Sequence, residues 1–259
     1  MAQLKLKFSE ANAKTRRLYG IPELTPYLQG HKEVYSLDMP SGYTCPGANL
    51  CKSMAVVGEN GKATIQDGPA CQFRCFAASQ EVLYPPCRQN RHHNMQLISR
   101  AKGSQEIAKL VLASLPKNAG VVRLHVGGDF FRLAYLRAMI EVAKSRQDIL
   151  FYGYTKSLHF VKQVGGASAL PPNFRLTLSM GGKYDKLIPQ LGMRTVKVVL
   201  TEDEAQKEGL ELDHDDSHAA TNGGSFALLV HGSQPAGSVA GKMVYKYRRK
   251  MGGFGQYAR

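Results

Sequence analysis

Short apolar runs alternate with amphipathic segments through most of the chain. Six runs of six or seven residues are rich in β-branched and aromatic side chains, which is typical of strands. The segments between several of them carry apolar residues every three or four positions, the period of an amphipathic helix. The predicted strands cover residues 33–39, 121–126, 149–155, 175–180, 196–201 and 225–231.

The order of these elements predicts the fold class. Mostly apolar strands separated by helical segments form a parallel sheet with helices packed on it. Because six strands are fewer than the eight that close a (β/α) barrel, we predict an α/β fold, a partial (β/α) barrel of about six mostly parallel strands. An open doubly wound sheet is the alternative. A Gly-rich stretch at 57–70 is expected to form a hairpin or loop.

We expect residues 1–259 to form a single domain. A basic N-terminal arm covers 1–30, where two prolines interrupt the pattern, and a basic C-terminal tail covers 242–259. No run of about 18 apolar residues occurs, and the first residues lack the apolar middle of a secretory signal. A cytoplasmic location without a membrane span is therefore expected.

All five cysteines fall in the segment 44–94, directly after the first predicted strand. Five thiols cannot pair completely, and structural disulfides are rare in a reducing cytosol. Metal ligation therefore explains the clustering better than pairing does. The residues are Cys45, Cys51, Cys71, Cys75 and Cys87.

The cysteine spacing bears on the kind of metal site. Cys45-x5-Cys51 and Cys71-x3-Cys75 lack the C-x2-C knuckles of a zinc ribbon and the C-x2-C-x2-C run of a ferredoxin. Several thiolates on a loop with glycine and proline favour an iron–sulfur cluster, 4Fe–4S in preference to 3Fe–4S. The leading ligands are Cys45, Cys51 and Cys75; the fourth is Cys87 or Cys71, or one iron is open for a small ligand. Structural zinc and unligated or disulfide-bonded cysteines are the alternatives.

Other polar residues follow the next predicted strands, and the carboxyl ends of parallel strands meet at one rim. Gly127 and Gly128 would let a small ligand approach the backbone, and Asp129 would accept a hydrogen bond from the amine or hydroxyl of that ligand. The alternative is a tight turn in which Asp129 is a helix N-cap. His125 is a ligand or proton carrier, or else a core histidine. Lys156 supplies a cation at this rim, or is a solvated lysine.

The chain carries a formal charge of +14, with 34 Lys and Arg against 20 Asp and Glu. Such an excess suggests binding to polyanions such as nucleic acid. Basic residues concentrated at the chain ends are equally typical of solvated tails, and the sequence lacks an RNP, helix-turn-helix or zinc-finger pattern.

Three further motifs are weaker. The acidic and histidine-rich residues at 213–218 suit either a hard cation or a surface loop. The glycine motifs at 181–183 and 231–238 lack phosphate-loop spacing, so turns are expected there.

Four motifs in a fixed order resemble a known family. TCPGA with a following Cys and CFA, RLHVGGDFF with a following Tyr, FYGYTKS, and PPNFRLTLSM are similar to the phage "gene product 88" domain family over roughly 40–180. That family usually spaces its thiols tightly, as C-P-G-A, then C, then C-Y/F-A, whereas about twenty residues separate Cys51 from Cys75 here. The resemblance implies a phage-encoded protein in the host cytoplasm.

A looser, topological resemblance is to radical S-adenosylmethionine enzymes, in which a cluster loop follows strand one of a partial barrel. It implies that Cys45, Cys51 and Cys75 are three cluster ligands. The glycine-acid motif that meets the cofactor's amine would correspond to residues 127–129. The resemblance implies S-adenosylmethionine as a second cofactor.

Two classes of function follow from these observations. The first is an iron–sulfur protein with a redox or cofactor-dependent role at the rim, acting on a small-molecule substrate or a redox partner. The second is a binding module for nucleic acid or a host protein, in which the cluster or zinc is structural. A plain electron carrier is a third possibility, although small carriers are usually acidic and far shorter.

Overall fold

The computed structural model describes residues 4–250 of the protein. All six predicted strands are present within this range, and each of their ends agrees with the prediction to within two residues. The strands are β1 (Phe8–Glu10), β2 (Glu33–Leu37), β3 (Ser53–Val57), β4 (Ala63–Asp67), β5 (Ala119–Leu124), β6 (Leu150–Thr155), β7 (Phe174–Ser179), β8 (Thr195–Val199), β9 (Glu211–Leu212) and β10 (Phe226–Leu229).

Eight strands form one sheet in the order β1-β2-β5-β6-β7-β8-β10-β9. From β2 onward every neighbouring pair is parallel, and only the short β1 runs antiparallel, against β2. The main strands follow one another in chain order, whereas a doubly wound sheet reverses its order midway. The sheet is not closed, so the fold is the predicted partial (β/α) barrel. Strands β1 and β9, of three and two residues, are too short to show a sequence pattern.

Helices connect the strands at the predicted places. The chain contains α1 (Thr25–Leu28), α2 (Phe76–Leu83), α3 (Pro85–Arg100), α4 (Ser104–Ser114), α5 (Leu133–Ser145), α6 (Leu158–Val164), α7 (Ile188–Leu191), α8 (Glu202–Lys207), α9 (Ser217–Ala220) and α10 (Val239–Lys250). Thr201 caps α8, because its hydroxyl accepts a hydrogen bond from the Glu204 N–H at 3.1 Å. Residues 57–70 lie mainly in the antiparallel hairpin β3–β4 and the turn after it, as predicted.

The larger core lies between the sheet and helices α3 to α6. Leu37, Leu124 and Phe151 project from the strands into this layer, where they meet apolar side chains of the helices. Burial of this layer fixes the orientation of the sheet, and with it the position of the strand ends.

The opposite face of the sheet is covered by the N-terminal segment and by α9. Leu18 and Leu24 are fully buried there against residues of β2, β5 and β6. The structure thus makes the predicted N-terminal arm part of the core. Residues 251–259 of the predicted basic tail lie outside the described range, and its earlier part is helix α10.

Within the described range, no helix combines the length and the apolar character needed to cross a membrane.

Candidate functional site

The loop after β2 carries the first two cysteines and is fixed to the carboxyl ends of β6 and β7. Gly47 packs so closely that a Cβ atom there would lie 2.0 Å from the carbonyl oxygen of Lys156. The Gly47 carbonyl accepts from the Lys183 N–H at 2.9 Å, and the Leu50 N–H donates to the Gly181 carbonyl at 3.1 Å. Glycine is therefore required at position 47, and the loop bearing Cys45 and Cys51 is held at the rim.

The hairpin β3–β4 leaves this loop and returns to it. The Gly68 N–H donates to the Lys52 carbonyl at 2.7 Å, so the two ends of the hairpin are adjacent. Farther along, the Cys75 N–H donates to the Ser53 hydroxyl at 2.9 Å. Cys75 is the N-cap residue of α2. The chain thus brings a third thiol back to the place where the first two lie.

Three of the thiols influence one another electrostatically. Burial is the main reason why the pKa of Cys45 lies well above its ordinary value, and Asp129, then Cys75 and Cys51, raise it further. Burial also raises the pKa of Cys75 to about 11, with Cys51 as the next cause. The N–H groups of Ala77 and Ala78 act in the opposite direction, because a helix N-terminus favours a thiolate.

The other two cysteines differ in their surroundings. Burial raises the pKa of Cys71 to about 11, and the charges near it include Asp67, Arg74 and Cys75. Burial also raises the pKa of Cys87, whose charged neighbours are Arg91, Asp38 and Glu81. The structure therefore brings Cys71 toward the three central thiols and sets Cys87 beside a buried ion-pair network.

All five cysteines are half-buried free thiols. Among residues 4–250, no three His, Cys, Asp or Glu side chains converge closely enough to hold a single metal ion.

Asp129 lies at the rim with its carboxylate already engaged by the protein. One oxygen accepts from the Phe130 N–H at 2.7 Å and the Thr155 hydroxyl at 2.6 Å, and the other accepts from the Lys156 N–H at 2.8 Å. Burial raises the pKa of Asp129 to about 6, while these three donors act to lower it. Asp129 joins the ends of β5 and β6. It is not a helix N-cap, since α5 begins at Leu133 with Arg132 as its N-cap.

The two glycines before Asp129 leave space for neighbouring side chains that pack against the backbone there. A Cβ atom at Gly127 would lie 2.7 Å from the guanidinium carbon of Arg91, and one at Gly128 would lie 2.5 Å from the Cβ of Met39. Gly128 also has a φ of 84°, in the left-handed region that favours glycine. These glycines let the turn after β5 pack under the cysteine loop.

His125 is a buried core histidine with an unusual backbone. Its φ is 67°, which is uncommon for a residue other than glycine. The Nε2 atom lies 3.1 Å from the Tyr135 hydroxyl, and Nδ1 has no hydrogen-bond partner. Burial lowers the pKa of His125 to about 3, so its ring is neutral at pH 7.

Lys156 is largely buried at the rim. Its ammonium group donates to the Ser179 hydroxyl at 2.7 Å and to the Met180 carbonyl. Burial raises the pKa of Cys51, and the positive charge of Lys156 is the main influence that lowers it. The structure thus places the predicted cation beside one of the predicted ligands.

A buried ion-pair network beneath the cysteine loop was not predicted. Arg91 contacts Glu81 at 2.8 Å and approaches Asp38 at 4.0 Å, and all three side chains are buried. Glu81 accepts from the Ser41 N–H at 2.9 Å, and Asp38 accepts from the Val126 N–H at 2.7 Å. The only available signal was the helical spacing of Cys87, Arg91, Asn94 and Ile98 on one face of α3.

The acidic segment at 213–218 lies against the sheet on the face opposite the large helices. Asp216 is fully buried and forms ion pairs with Arg123 and with Lys14, the latter at 2.8 Å. Arg194 donates to the carbonyls of His218 and Ala219, which fixes α9 on the sheet. The buried Asp216 carboxylate is therefore paired with basic side chains of the protein, and the segment packs on the sheet.

The fold and the thiol-bearing rim define a partial-barrel protein whose cysteine loop follows the first strand of the parallel part of the sheet. A family model described as Gene product 88 matches residues 4–249, and the chain belongs to that family. Comparison with curated proteins and with solved structures gave no match. The resemblance to radical S-adenosylmethionine enzymes therefore stays a prediction.

Proposed function

We propose that this protein binds an iron–sulfur cluster at the rim of the partial barrel and uses it in a redox or cofactor-dependent reaction. The observation that supports the proposal is the convergence of Cys45, Cys51 and Cys75. Cys45 and Cys51 lie on the loop after β2, and Ser53 joins Cys75 to this loop. The Ser53 hydroxyl accepts from the Cys75 N–H at 2.9 Å and donates to the Cys51 carbonyl at 3.4 Å. Cys75 and Cys51 both contribute to the raised pKa of Cys45.

The donor set suits a cluster better than a single ion. A tetrahedral zinc site with bonds of about 2.3 Å brings its sulfur atoms to within about 3.8 Å of one another. Residues 4–250 contain no group of three His, Cys, Asp or Glu side chains placed to hold a single metal ion. An iron–sulfur cluster is itself several ångströms wide, so its thiolates stand farther apart, and thiolates are the ligands it prefers.

Burial raises the pKa of all three thiols, but local groups act in the opposite direction at two of them. The amide groups at the start of α2 lower the pKa of Cys75, and the positive charge of Lys156 lowers that of Cys51. These groups would offset part of the negative charge of the cluster. When bound, the cluster would supply one-electron transfer, or an open iron position for a small ligand.

Anaerobic reconstitution with iron and sulfide tests the proposal. The wild-type protein is expected to become brown, with iron and acid-labile sulfide in equal amounts and electron paramagnetic resonance signals of a 4Fe–4S cluster after reduction. Replacement of any one of Cys45, Cys51 or Cys75 by Ser should remove most of the iron. A colourless protein that retains zinc alone would refute the proposal.

The fourth ligand is tested by a matched pair of variants. Cys71 interacts with both Cys51 and Cys75, whereas the charged groups that influence Cys87 are Arg91, Asp38 and Glu81. We therefore expect Cys71→Ala to perturb the resonance spectrum more than Cys87→Ala does. If both variants keep the wild-type spectrum, the cluster has three thiolate ligands and one open iron.

An open iron makes S-adenosylmethionine the small ligand to test first, in line with the resemblance stated above. Asp129 already accepts three hydrogen bonds from the protein, so recognition of the ligand's amine would fall to other groups at the rim. Calorimetric titration of the reconstituted protein with S-adenosylmethionine is the direct measurement. An absence of binding to a fully loaded protein would remove this cofactor from the proposal.

A further inference from the structure

The exposed face of helix α10 is basic and carries an aromatic ring. Lys242, Tyr245, Lys246 and Arg249 recur at intervals of three, one and three residues, so they lie along one side of the helix. All four are exposed, and Tyr245 keeps 65% of its surface accessible. The helix contains no acidic residue that would neutralise this face.

A cavity of about 740 Å³ adjoins this face, between α10 and the loop after β10. Gly232 and Gln234 line one side of it, and Lys242, Tyr245 and Arg249 line the other. The volume falls in the range of small-molecule sites, and it exceeds the volume of a nucleobase. Positive charges therefore lie at the mouth of a cavity that can take a planar group.

The wall of the cavity formed by the loop after β10 packs against the cysteine segment. The ring of Phe76, which follows Cys75, stacks on His231 with centroids 4.7 Å apart. Phe76 also packs on Gly232, where a Cβ atom would lie 3.0 Å from the ring. Gln234 holds the backbone of Arg74 through hydrogen bonds of 2.7 and 3.0 Å. A ligand in the cavity would therefore lie near the start of α2, where Cys75 is the N-cap residue.

We infer that this surface binds a single-stranded nucleic acid, with phosphates on the basic side chains of α10 and a base in the cavity or stacked on Tyr245. Basic side chains that follow a strand's phosphates, with aromatic rings on which bases stack, are the usual elements of single-strand recognition. A duplex cannot insert a base into a cavity unless that base first leaves the stack.

The single strand would be the substrate of the proposed cluster site. Its reaction there rests on the proposed function, whereas its binding to α10 does not. Binding of the strand depends on α10 and the cavity, both of which are present without a cluster. The two proposals can therefore fail separately: iron and sulfide content reports on one, and oligonucleotide binding reports on the other.

Fluorescence anisotropy with labelled 20-mers of deoxythymidylate and of uridylate tests the inference, with the corresponding duplexes and heparin as competitors. The triple variant Lys242→Glu, Lys246→Glu, Arg249→Glu should weaken binding of the single strands at least tenfold. Because each phosphate contact contributes about 0.7 to the salt slope of a single strand, loss of three contacts should lower that slope by about 2. Tyr245→Ala should weaken binding about tenfold, and Tyr245→Phe should restore it.

The matched control is Lys109→Glu, Lys117→Glu, Lys144→Glu, which changes the net charge equally at exposed positions on and near α4 and α5. It should bind within about twofold of the wild-type protein, and so should wild-type protein that has not been reconstituted with iron and sulfide. Equal losses in both triple variants, or equal competition by heparin and single strands, would refute a specific site on α10. Comparison of the affinities for deoxythymidylate and uridylate shows whether the site prefers DNA or RNA.

Discussion

At the scale of single residues, His125 combines a left-handed backbone with a buried neutral ring. Strained residues of this kind persist where the surrounding structure holds them. Here the ring packs on Phe130 and Tyr135, and the backbone N–H donates to Leu37. His125 thereby ties the end of β5 to β2, directly beneath the cysteine loop.

The pKa of about 3 for His125 predicts a pH-dependent stability. In the unfolded chain this histidine has a pKa near 6.5. As the pH falls below that value, the unfolded state binds a proton that the folded state does not bind. The free energy of unfolding should decrease between pH 6.5 and pH 3, by about 1.4 kcal/mol for each pH unit.

Urea denaturation of His125→Asn across this pH range checks the prediction, since asparagine tolerates positive φ and does not titrate. The variant should be less stable at pH 7, because it loses the aromatic contacts, but its stability should change less with pH. His214→Asn, at an exposed position, is the control. An unchanged pH dependence in the His125 variant would contradict the assignment.

Lys156 should set the potential of a cluster bound beside Cys51. Replacement by Met removes a positive charge from the rim, which disfavours the reduced, more negative cluster. Potentiometric titration should show a shift to more negative potential on the order of 100 mV at a distance of a few ångströms. The exposed Lys183→Met on the neighbouring loop carries the same charge change and should shift it far less. Equal shifts of the potential in the two variants would show that Lys156 does not act directly on the cluster.

At this scale the sequence located the polar residues of the rim but could not assign their roles. Lys156 and Asp129 follow apolar strands, so their position at the strand ends was predictable. That three donors occupy Asp129, and that Arg91 meets Glu81 and Asp38, depends on contacts between distant segments. The helical spacing of Arg91 with Asn94 and Ile98 indicates a shared face of α3, but it does not identify the partners of Arg91.

At the scale of elements, the hairpin β3–β4 accounts for the long interval between Cys51 and Cys75. Ser53 pairs with Asp67, and the strands run antiparallel up to Val57 and Ala63. Because the two ends of the hairpin meet, its length does not affect the distance between the thiols. The interval is therefore an inserted arm on a compact thiol loop.

Shortening the hairpin tests this view. Ala55 faces Ile65, so Val56 through Thr64 can be replaced by Asn-Gly, the dipeptide preferred in two-residue hairpin turns. The shortened protein should bind as much iron and sulfide as the wild type. Replacing Ser53 by Ala in the same background should lower iron occupancy, because the Cys75 N–H loses its acceptor. Loss of the cluster on shortening alone would show that the hairpin tip contributes to the site.

The elements themselves were largely predictable. The six apolar runs form strands, because their local pattern matches the burial they receive. The N-terminal segment was different. Leu18 follows two arginines and Leu24 lies between two prolines, so neither belongs to a regular apolar pattern, and their burial depends on the sheet opposite them.

At the scale of the whole molecule, a bound cluster would join the loop after β2 to the start of α2. A ligand that binds only the folded protein stabilises it in proportion to its occupancy. We expect chelation of the iron to accelerate amide exchange in residues 41–76, while strands β5 to β7 retain their protection. Hydrogen exchange with mass spectrometry of the loaded and chelated protein measures this. Uniform acceleration over the sheet would mean that the cluster supports the entire fold.

The ion pair between Lys14 and Asp216 has a consequence for the order of synthesis. The same two regions meet again where the Asn222 N–H donates to Glu23, 199 residues away in sequence. At about 5–20 residues per second, roughly 10–40 s separate the emergence of these partners from the ribosome. The N-terminal segment can therefore complete its native packing only after residues in the last quarter of the described chain have been synthesised.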